Sequence, residues 1–412
     1  MRTDYDVVVV GGGFAGQAAA RELARLGFGK RVLVVDRRGR AGYPPSSTSG
    51  IATYWLEKLG FPPAPDAVAS PIRSVRIVVS GDPPGTERTL RPGGPLAPDL
   101  GVVLQEHNFL GRIEAESARG GVAFWHGASV REAHRHFDHY EIQVTDGHPK
   151  TVTCSWILDA GGYDSRISRR FGLTESLRDE DRHNGLEITV PNTGQHPGDR
   201  ITLYFGGWAP QGYAWVFPST ENGSPHLRVG IGVPLSVRGC GGRPVPVRDY
   251  FEGFLHDFPE YDGPVHHRMG GVIPTSFPRR ILHRGRVLSL GDAARLCDPL
   301  TGGGIHQGLA SGLAAAHAVA RNDPNEYEIE LAPFISEMRR HYRWKQVFLA
   351  MTEEEVRRTM DTVASLKLPE GRFSPYSMWR VGLGQLRRNG IRPVRILRRD
   401  HRFWRAVWPR AL

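Results

Sequence analysis

Three glycines at fixed spacing offer the first chemistry. Gly11, Gly13 and Gly16 stand in Gly11-Gly12-Gly13-Phe14-Ala15-Gly16, a G-x-G-x-x-G pattern between an apolar run and an Ala-rich one. In such a turn Gly11 permits the tight bend, Gly13 lets the backbone approach a pyrophosphate, and Gly16 lets the helix lie close to the strand. The helix then opens at Phe14 and Ala15 with bare N–H groups facing the phosphates. Asp36 ends the next strand about twenty residues on, placed with Arg37 to meet ribose hydroxyls. A structural turn that binds nothing carries the same glycines, and the pattern does not separate NAD from FAD.

A second cluster makes that separation. Residues 285–317 read GRVLSLGDAARLCDPLTGGGIHQGLASGLAAAH. A strand delivers Gly291 and Asp292, a turn follows through Asp298, Pro299, Leu300 and Thr301, and Gly302, Gly303 and Gly304 lead into a helix at Ile305. Asp292 can accept hydrogen bonds from the hydroxyls of a flavin ribityl chain. The Gly-rich helix start has a positive dipole end, which stabilises the negative charge of a reduced flavin. Two such ends in one chain point to FAD.

Other residues are candidates with plainer alternatives. Tyr213, Trp215 and Phe217 alternate, so one strand face carries all three; they form either an apolar substrate wall or sheet core. Ser46, Ser47 and Thr48 are polar groups near the flavin edge or simply a turn. Asp298 is a candidate acid, or the residue that caps its own turn. His306 faces the flavin or substrate, or is structural. Cys297 lies near the cofactor or is a small packing group. No His, Asp or Glu cluster has metal-ligand spacing.

The elements that must position these residues follow from periodicity. Tyr5–Val10 reads as a buried parallel strand, Ala15–Leu26 as a helix ended by Gly27 and Gly29, and Arg31–Asp36 as the next strand. Strands are expected at 70–80, 87–91, Val122–Val130, Tyr140–Val144 and Thr151–Leu158, with a helix over Asn108–Gly120. Residues 186–233 alternate as in an antiparallel sheet. The fold class is α/β: a Rossmann-like FAD-binding domain interrupted by an antiparallel β-sheet substrate domain, with a C-terminal helical tail. The FAD-binding part takes residues 1–65, 101–180 and 281–325, the sheet part 66–100 and 181–280, and the helical part 326–412.

The chain of 412 residues carries a formal charge of +10, yet shows no nucleic-acid-binding signature, so nucleic acid is not an expected partner. Its three cysteines, Cys154, Cys240 and Cys297, are too few and too scattered for a disulfide framework. A reducing, cytoplasmic setting fits, with no signal peptide before the first strand and no apolar run of membrane-span length. The Trp379–Trp408 segment interleaves Arg with apolar residues. It suits either peripheral contact with an anionic membrane or helices packed on the domain with a basic outer face.

Taken together, these motifs resemble the geranylgeranyl reductase family of flavoproteins, within the wider group of aromatic hydroxylases and flavin halogenases. The segment Gly291, Asp292, Ala293, Ala294, Pro299, Leu300, Thr301, Gly302, Gly304 and Ile305 is similar to the one that holds the flavin in that family. Asp159-Ala160-Gly161-Gly162 is similar to its Asp-Ala-x-Gly segment beside the cofactor, which implies cofactor roles for Asp159 and Gly161. Tyr213-Ala214-Trp215-Val216-Phe217-Pro218 resembles its Tyr-x-Trp-x-Phe-Pro motif lining the substrate cavity, and Gly230-Ile231-Gly232 the Gly-x-Gly after it. The chain departs from the family at Tyr43–Gly50, which lacks the Lys-Pro-Cys-Gly cysteine, and near Glu106, where an arginine is common.

The resemblance implies an FAD-dependent oxidoreductase that reduces a carbon–carbon double bond in a small apolar substrate, prenylated or polycyclic. NADPH, NADH or a reduced electron carrier would supply the electrons, the last through an electron-donor protein or reductase. A flavin-dependent monooxygenase of secondary metabolism, acting by hydroxylation or epoxidation, is the alternative. Halogenation is disfavoured, because no lysine stands between residues 59 and 149. A non-redox prenyl-ligand binding protein is opposed by the completeness of both glycine motifs.

Overall fold

Tyr5–Val10 and Val32–Asp36 are nearly continuous apolar runs, and strands of this kind need cover on both faces. In the computed structural model, which describes residues 3–83, 85–86, 88–90, 99–239 and 242–364, both lie inside an eight-stranded sheet. Its main path runs His283–Arg284, Val287–Ser289, Pro149–Asp159, Tyr5–Val10, Val32–Asp36 and Ala123–His126. The pairings are parallel except for the first. Val7, Val9, Val34 and Leu158 face one side, where helices Phe14–Arg25 and Ile305–Arg321 pack; Val8, Val10, Leu33 and Ile157 face the other. The two helices come close because of small residues: a Cβ on Gly312 would stand 2.3 Å from the Ala15 carbonyl oxygen. The long strand Pro149–Asp159 continues past the sheet to pair antiparallel with Tyr140–Thr145, which pairs with Ser129–Arg135.

One boundary differs from expectation. Val122–Val130 is not a single strand but the end of one, Ala123–His126, and the start of another, Ser129–Arg135. Gly127 sits between them with φ +69°, a turn conformation that breaks the run.

The second sheet has seven strands in the order His267–Pro274, Arg182–Pro191, Ser224–Pro234, Tyr213–Glu221, Arg200–Phe205, Ser74–Val79 and Arg88–Leu90. It is antiparallel throughout, apart from Arg200–Phe205 with Ser74–Val79. One face, carrying Ala214, Val216, Val229 and Ile231, packs on Phe251 and Phe254 of helix Val247–Asp257. A three-stranded sheet of Gly50–Ile51, Gly101–Leu104 and Val68–Ile72 lies apart from it. Residues 68–72 therefore pair with 101–104, on the side opposite 50–51, rather than in the seven-stranded sheet.

Helix Asn325–Leu349 adds Tyr327, Leu331, Ile335 and Met338 to the first core. Helix Glu353–Ala364 places Val356 and Met360 against Ile77, Val79 and Phe205 of the second sheet. The segment Trp379–Trp408 and Cys240 lie outside the described residues. Among the described residues, no helix is long and apolar enough to cross a membrane.

Candidate cofactor and substrate site

The first glycine turn has three different environments. Gly11, at φ +97°, would put a Cβ 2.4 Å from the Ala160 carbonyl oxygen, and Gly16 would put one 1.9 Å from the Gly11 oxygen. At Gly13 the nearest atom to an added Cβ is Arg38 Nη2, at 3.9 Å, so that side is open. Gly13 also caps helix Phe14–Arg25 without any side-chain bond, leaving its first N–H groups bare.

Asp36 braces this turn. Its Oδ2 accepts from the Gly12 N–H at 2.5 Å and its Oδ1 from the Arg38 N–H at 2.7 Å. Arg37 is exposed. Its neighbour Arg38 turns inward instead and pairs with Asp36 at 3.2 Å and Glu106 at 3.4 Å. Of the two arginines, Arg38 and not Arg37 lies against the turn. Two adjacent arginines carry no sequence signal to distinguish them; the turn after the strand decides which faces in.

Asp159 also departs from expectation. It is fully buried, and its carboxylate accepts from the Gly161 N–H at 3.0 Å, from Ser165 Oγ at 2.6 Å and from Ser168 Oγ. Its bonding capacity is used inside the fold, so it shapes the turn that backs Gly11 instead of reaching a cofactor. Gly161 is exposed beside it.

The second end opens at Gly291, whose φ of +52° brings the chain against Ala15. No described side chain or N–H hydrogen-bonds the Asp292 carboxylate. Burial raises its pKa, and the nearby Arg295 acts in the opposite direction. Asp292 stands beside Gly304, the uncapped N-cap of helix Ile305–Arg321. A half-buried carboxylate that no described group hydrogen-bonds, two bare helix starts and the open side of Gly13 are what a dinucleotide with a polyol chain requires. The site fits FAD.

The turn before the late helix is held by Asp298. It accepts from the N–H groups of Leu300 at 2.9 Å and Thr301 at 2.8 Å, and it pairs with Nδ1 of His341. Burial works against its charge, but His341 and the two N–H groups outweigh burial and hold the carboxyl below its ordinary value. Asp298 is thus committed to the turn and to His341, which argues against the candidate acid. Pro299 is buried, Gly302 lies against Ile273, and Gly303 is exposed. Cys297 donates its S–H to the Gly302 oxygen, and burial pushes the thiol far up. His306 stacks on Trp55 with centroids 4.6 Å apart and is held down to about 4 by burial. No described residue hydrogen-bonds it, and it is half-buried beside Trp55 and Phe334.

The aromatic strand meets this turn directly. Tyr213 donates its hydroxyl to the Thr301 carbonyl oxygen and lies 5.7 Å from the Trp215 ring. The Trp215 indole lies across Gly230, where a Cβ would come within 2.5 Å of it, and its Nε1 reaches Glu187 Oε2 at 2.7 Å. Phe217 separates from the other two aromatics and covers Gly50. Ala214 and Val216, between them, face the opposite core.

Behind the loop at residues 46–50 stand two buried carboxylates. Glu187 Oε2 lies 2.5 Å from Thr48 Oγ1. Glu106 accepts from the Ser46 N–H at 3.1 Å, Ser46 Oγ at 2.9 Å and Ser49 Oγ at 3.3 Å. Burial raises the pKa of both, although Arg228 lies near enough to oppose the shift in each. Arg228 donates to the Thr48 carbonyl oxygen at 2.9 Å. Ser47 accepts from the Ser49 N–H at 3.0 Å. Glu187 and Arg228 were not singled out from the sequence. Each is a charge within an apolar strand run, Leu186-Glu187-Ile188 and Leu227-Arg228-Val229, and that signal marks them.

FAD supplies hydride-transfer chemistry when bound. Toward it the chain would offer the bare N–H groups at the starts of helices Phe14–Arg25 and Ile305–Arg321 for phosphates and the Asp292 carboxylate for hydroxyls.

The family model described as an FAD binding domain matches residues 4–322. A digeranylgeranylglycerophospholipid reductase of Picrophilus torridus is 28% identical over 397 residues, covering 90% of this chain and 94% of the relative. A geranylgeranyl bacteriochlorophyll reductase-like protein from Thermoplasma acidophilum superposes with a TM-score of 0.81 at 22% identity, covering 93% of this chain and 98% of that one. A flavin-dependent halogenase superposes with a TM-score of 0.63 at 20% identity, covering 92% of this chain and 70% of that one.

Proposed function

This chain belongs to the FAD-binding-domain family and is an FAD-dependent oxidoreductase, and from that premise we propose that it reduces carbon–carbon double bonds in a prenylated lipid. The observation that carries the reading is the Tyr213–Trp215 wall. It adjoins the turn at Thr301–Gly304 and faces away from the sheet core formed by Ala214 and Val216. Behind the wall, the Tyr213 ring is supported by Phe205, with centroids 5.7 Å apart. Digeranylgeranylglycerophospholipid reductases of similar length support the same substrate class. A lipid substrate would bring the protein to a membrane surface, and the basic Trp379–Trp408 segment suits anionic headgroups.

The test is anaerobic. The purified holoprotein is reduced with dithionite, then mixed with a digeranylgeranyl glycerophospholipid in detergent. Return of the oxidised flavin spectrum with loss of double bonds by mass spectrometry is the expected result. Reoxidation only on admitting oxygen, with a hydroxylated or epoxidised product, would replace this reading with monooxygenation. NADPH, NADH and a reduced ferredoxin-type carrier are then compared as physiological donors.

A further inference from the structure

Hydrogenating a double bond takes a hydride and a proton, and the proton needs a source beside the substrate. The described residues around Trp215 contain one arrangement suited to this. Thr48 is half-buried in the loop, while Glu187 behind it is 3% exposed. Their oxygens are 2.5 Å apart, a separation that suits donation in either direction. Trp215 Nε1 donates to the same Glu187 oxygen at 2.7 Å, and no described residue hydrogen-bonds Oε1. Gly230 makes room for this, since any Cβ there would displace the indole.

We propose that Glu187 is a proton store that acts through Thr48, a positioning residue that sets which way the Thr48 hydroxyl points and refills it. This rests on the reductase reading above. When Glu187 is neutral, its carboxyl donates to Thr48 Oγ1 and turns the Thr48 hydrogen outward to the cleft. When Glu187 is ionised, it accepts that hydrogen and turns it inward. In the productive state, one alkene carbon receives the hydride equivalent from reduced flavin, which ends oxidised by two electrons. The other carbon forms its C–H bond with the Thr48 proton. Thr48 takes the Glu187 proton in the same step, leaving a carboxylate that is reprotonated from solvent before the next turnover.

The charged groups that face this pair are few. Arg228 reaches the Thr48 carbonyl oxygen from the neighbouring strand, with Glu221 at 3.6 Å on its far side. Glu106, paired with Arg38, approaches from the helix Glu106–Arg119. Burial, the largest influence, and Glu106 favour the neutral acid at Glu187, whereas Arg228 and the hydrogen bonds from Thr48 and Trp215 oppose it; burial prevails.

The test uses the FAD-loaded protein and the variants Glu187→Gln, Thr48→Val and Thr48→Ser. FAD content and thermal midpoint are measured first, then anaerobic reoxidation of reduced flavin by the digeranylgeranyl glycerophospholipid across pH 5–9. Infrared titration of the protein without lipid, taken as the difference between wild type and Glu187→Gln, reads the protonated-carboxyl C=O band of Glu187 apart from those of Glu106 and Asp292. The expected result is a wild-type reoxidation rate that falls at high pH in step with loss of that band. Thr48→Val should be slowed by about a hundredfold, the size of a general-acid contribution, and Thr48→Ser should recover most of the rate. Glu187→Gln should lose the band and the pH dependence together. The proposal is overturned if the band is already absent at pH 5 in wild type, if Thr48→Val reacts normally, or if Thr48→Ser is no better than Thr48→Val. Should Glu187→Gln fail to fold, the threonine pair and the wild-type pH profile still decide. If lipid does not reoxidise the wild-type flavin at all, the reductase reading fails, while the infrared titration still reports whether Glu187 holds a proton.

Discussion

Gly13 and Gly16 lie three residues apart, yet adding a side chain should do opposite things. A Cβ at Gly13 meets nothing closer than 3.9 Å, so Gly13→Val should fold with an unchanged thermal midpoint and lose FAD, because the valine occupies the phosphate approach. A Cβ at Gly16 falls 1.9 Å from the Gly11 oxygen, so Gly16→Val should lose fold and flavin together. Absorbance of the purified variants, read beside their melting curves, checks both, and full flavin content in Gly13→Val would mean the phosphates sit elsewhere. Asp292→Ala should fold and weaken FAD binding roughly tenfold or more, since a hydrogen bond to a charged group contributes about 1.5–3 kcal/mol. Unchanged FAD affinity would remove Asp292 from the ribityl contact. Gly13, Gly16 and Asp292 are legible in the sequence because glycine and aspartate spacing is dictated locally. The outward turn of Arg37 and the inward commitment of Asp159 are not, because a turn and Ser165 and Ser168, several residues away, set them.

Strand alternation placed Tyr213, Trp215 and Phe217 on one face, and the sheet then gives each a different neighbour. Tyr213 meets Thr301, Trp215 crosses Gly230 to Glu187, and Phe217 covers Gly50. Period-two reasoning reads the face but not the cross-strand register, and the register of Trp215 with Gly230 and of Gly230 with Glu187 brings those groups together. Trp215→Ala should therefore keep FAD and dithionite reduction near normal and lose lipid turnover. A core tryptophan would instead cost about 3–5 kcal/mol of stability. Measuring flavin content, thermal midpoint and turnover on one preparation separates the two, and joint collapse of stability and flavin would assign Trp215 to the core. Gly230→Ala is the complementary probe. Its Cβ would fall 2.5 Å from the indole, so it should impair turnover as Trp215→Ala does while keeping all of the tryptophan's apolar surface.

At the scale of the whole molecule, the α/β class and the interrupted order of the two sheets were readable from apolar runs and turn residues. The buried polar groups that join distant elements were not, because a histidine looks the same in sequence whether it is buried or exposed. His196 is buried, with Nδ1 donating to the Pro197 oxygen at 2.9 Å and Nε2 accepting from Thr202 Oγ1 at 2.9 Å. Both bonds belong to the neutral ring, and burial lowers its pKa from 6.5 to about 4. His183 lies 2.7 Å from Thr275 Oγ1 and is lowered to about 3 by burial and by Lys345. In each case the folded pKa is below the unfolded one, so between about 4 and 6.5 the unfolded chain binds more protons. Stability therefore rises with pH across that window and is lost as pH falls through it, by roughly 1.4 kcal/mol per pH unit for each such histidine well below the unfolded value. We expect urea midpoints to be level from pH 8 to 7 and to drop steeply from pH 6 to 4.5. His196→Gln keeps a polar group without a titrating ring. It should be less stable than wild type at pH 8 and show a shallower drop below pH 6. A variant whose midpoint parallels wild type at every pH would show that His196 already binds its proton in the folded state.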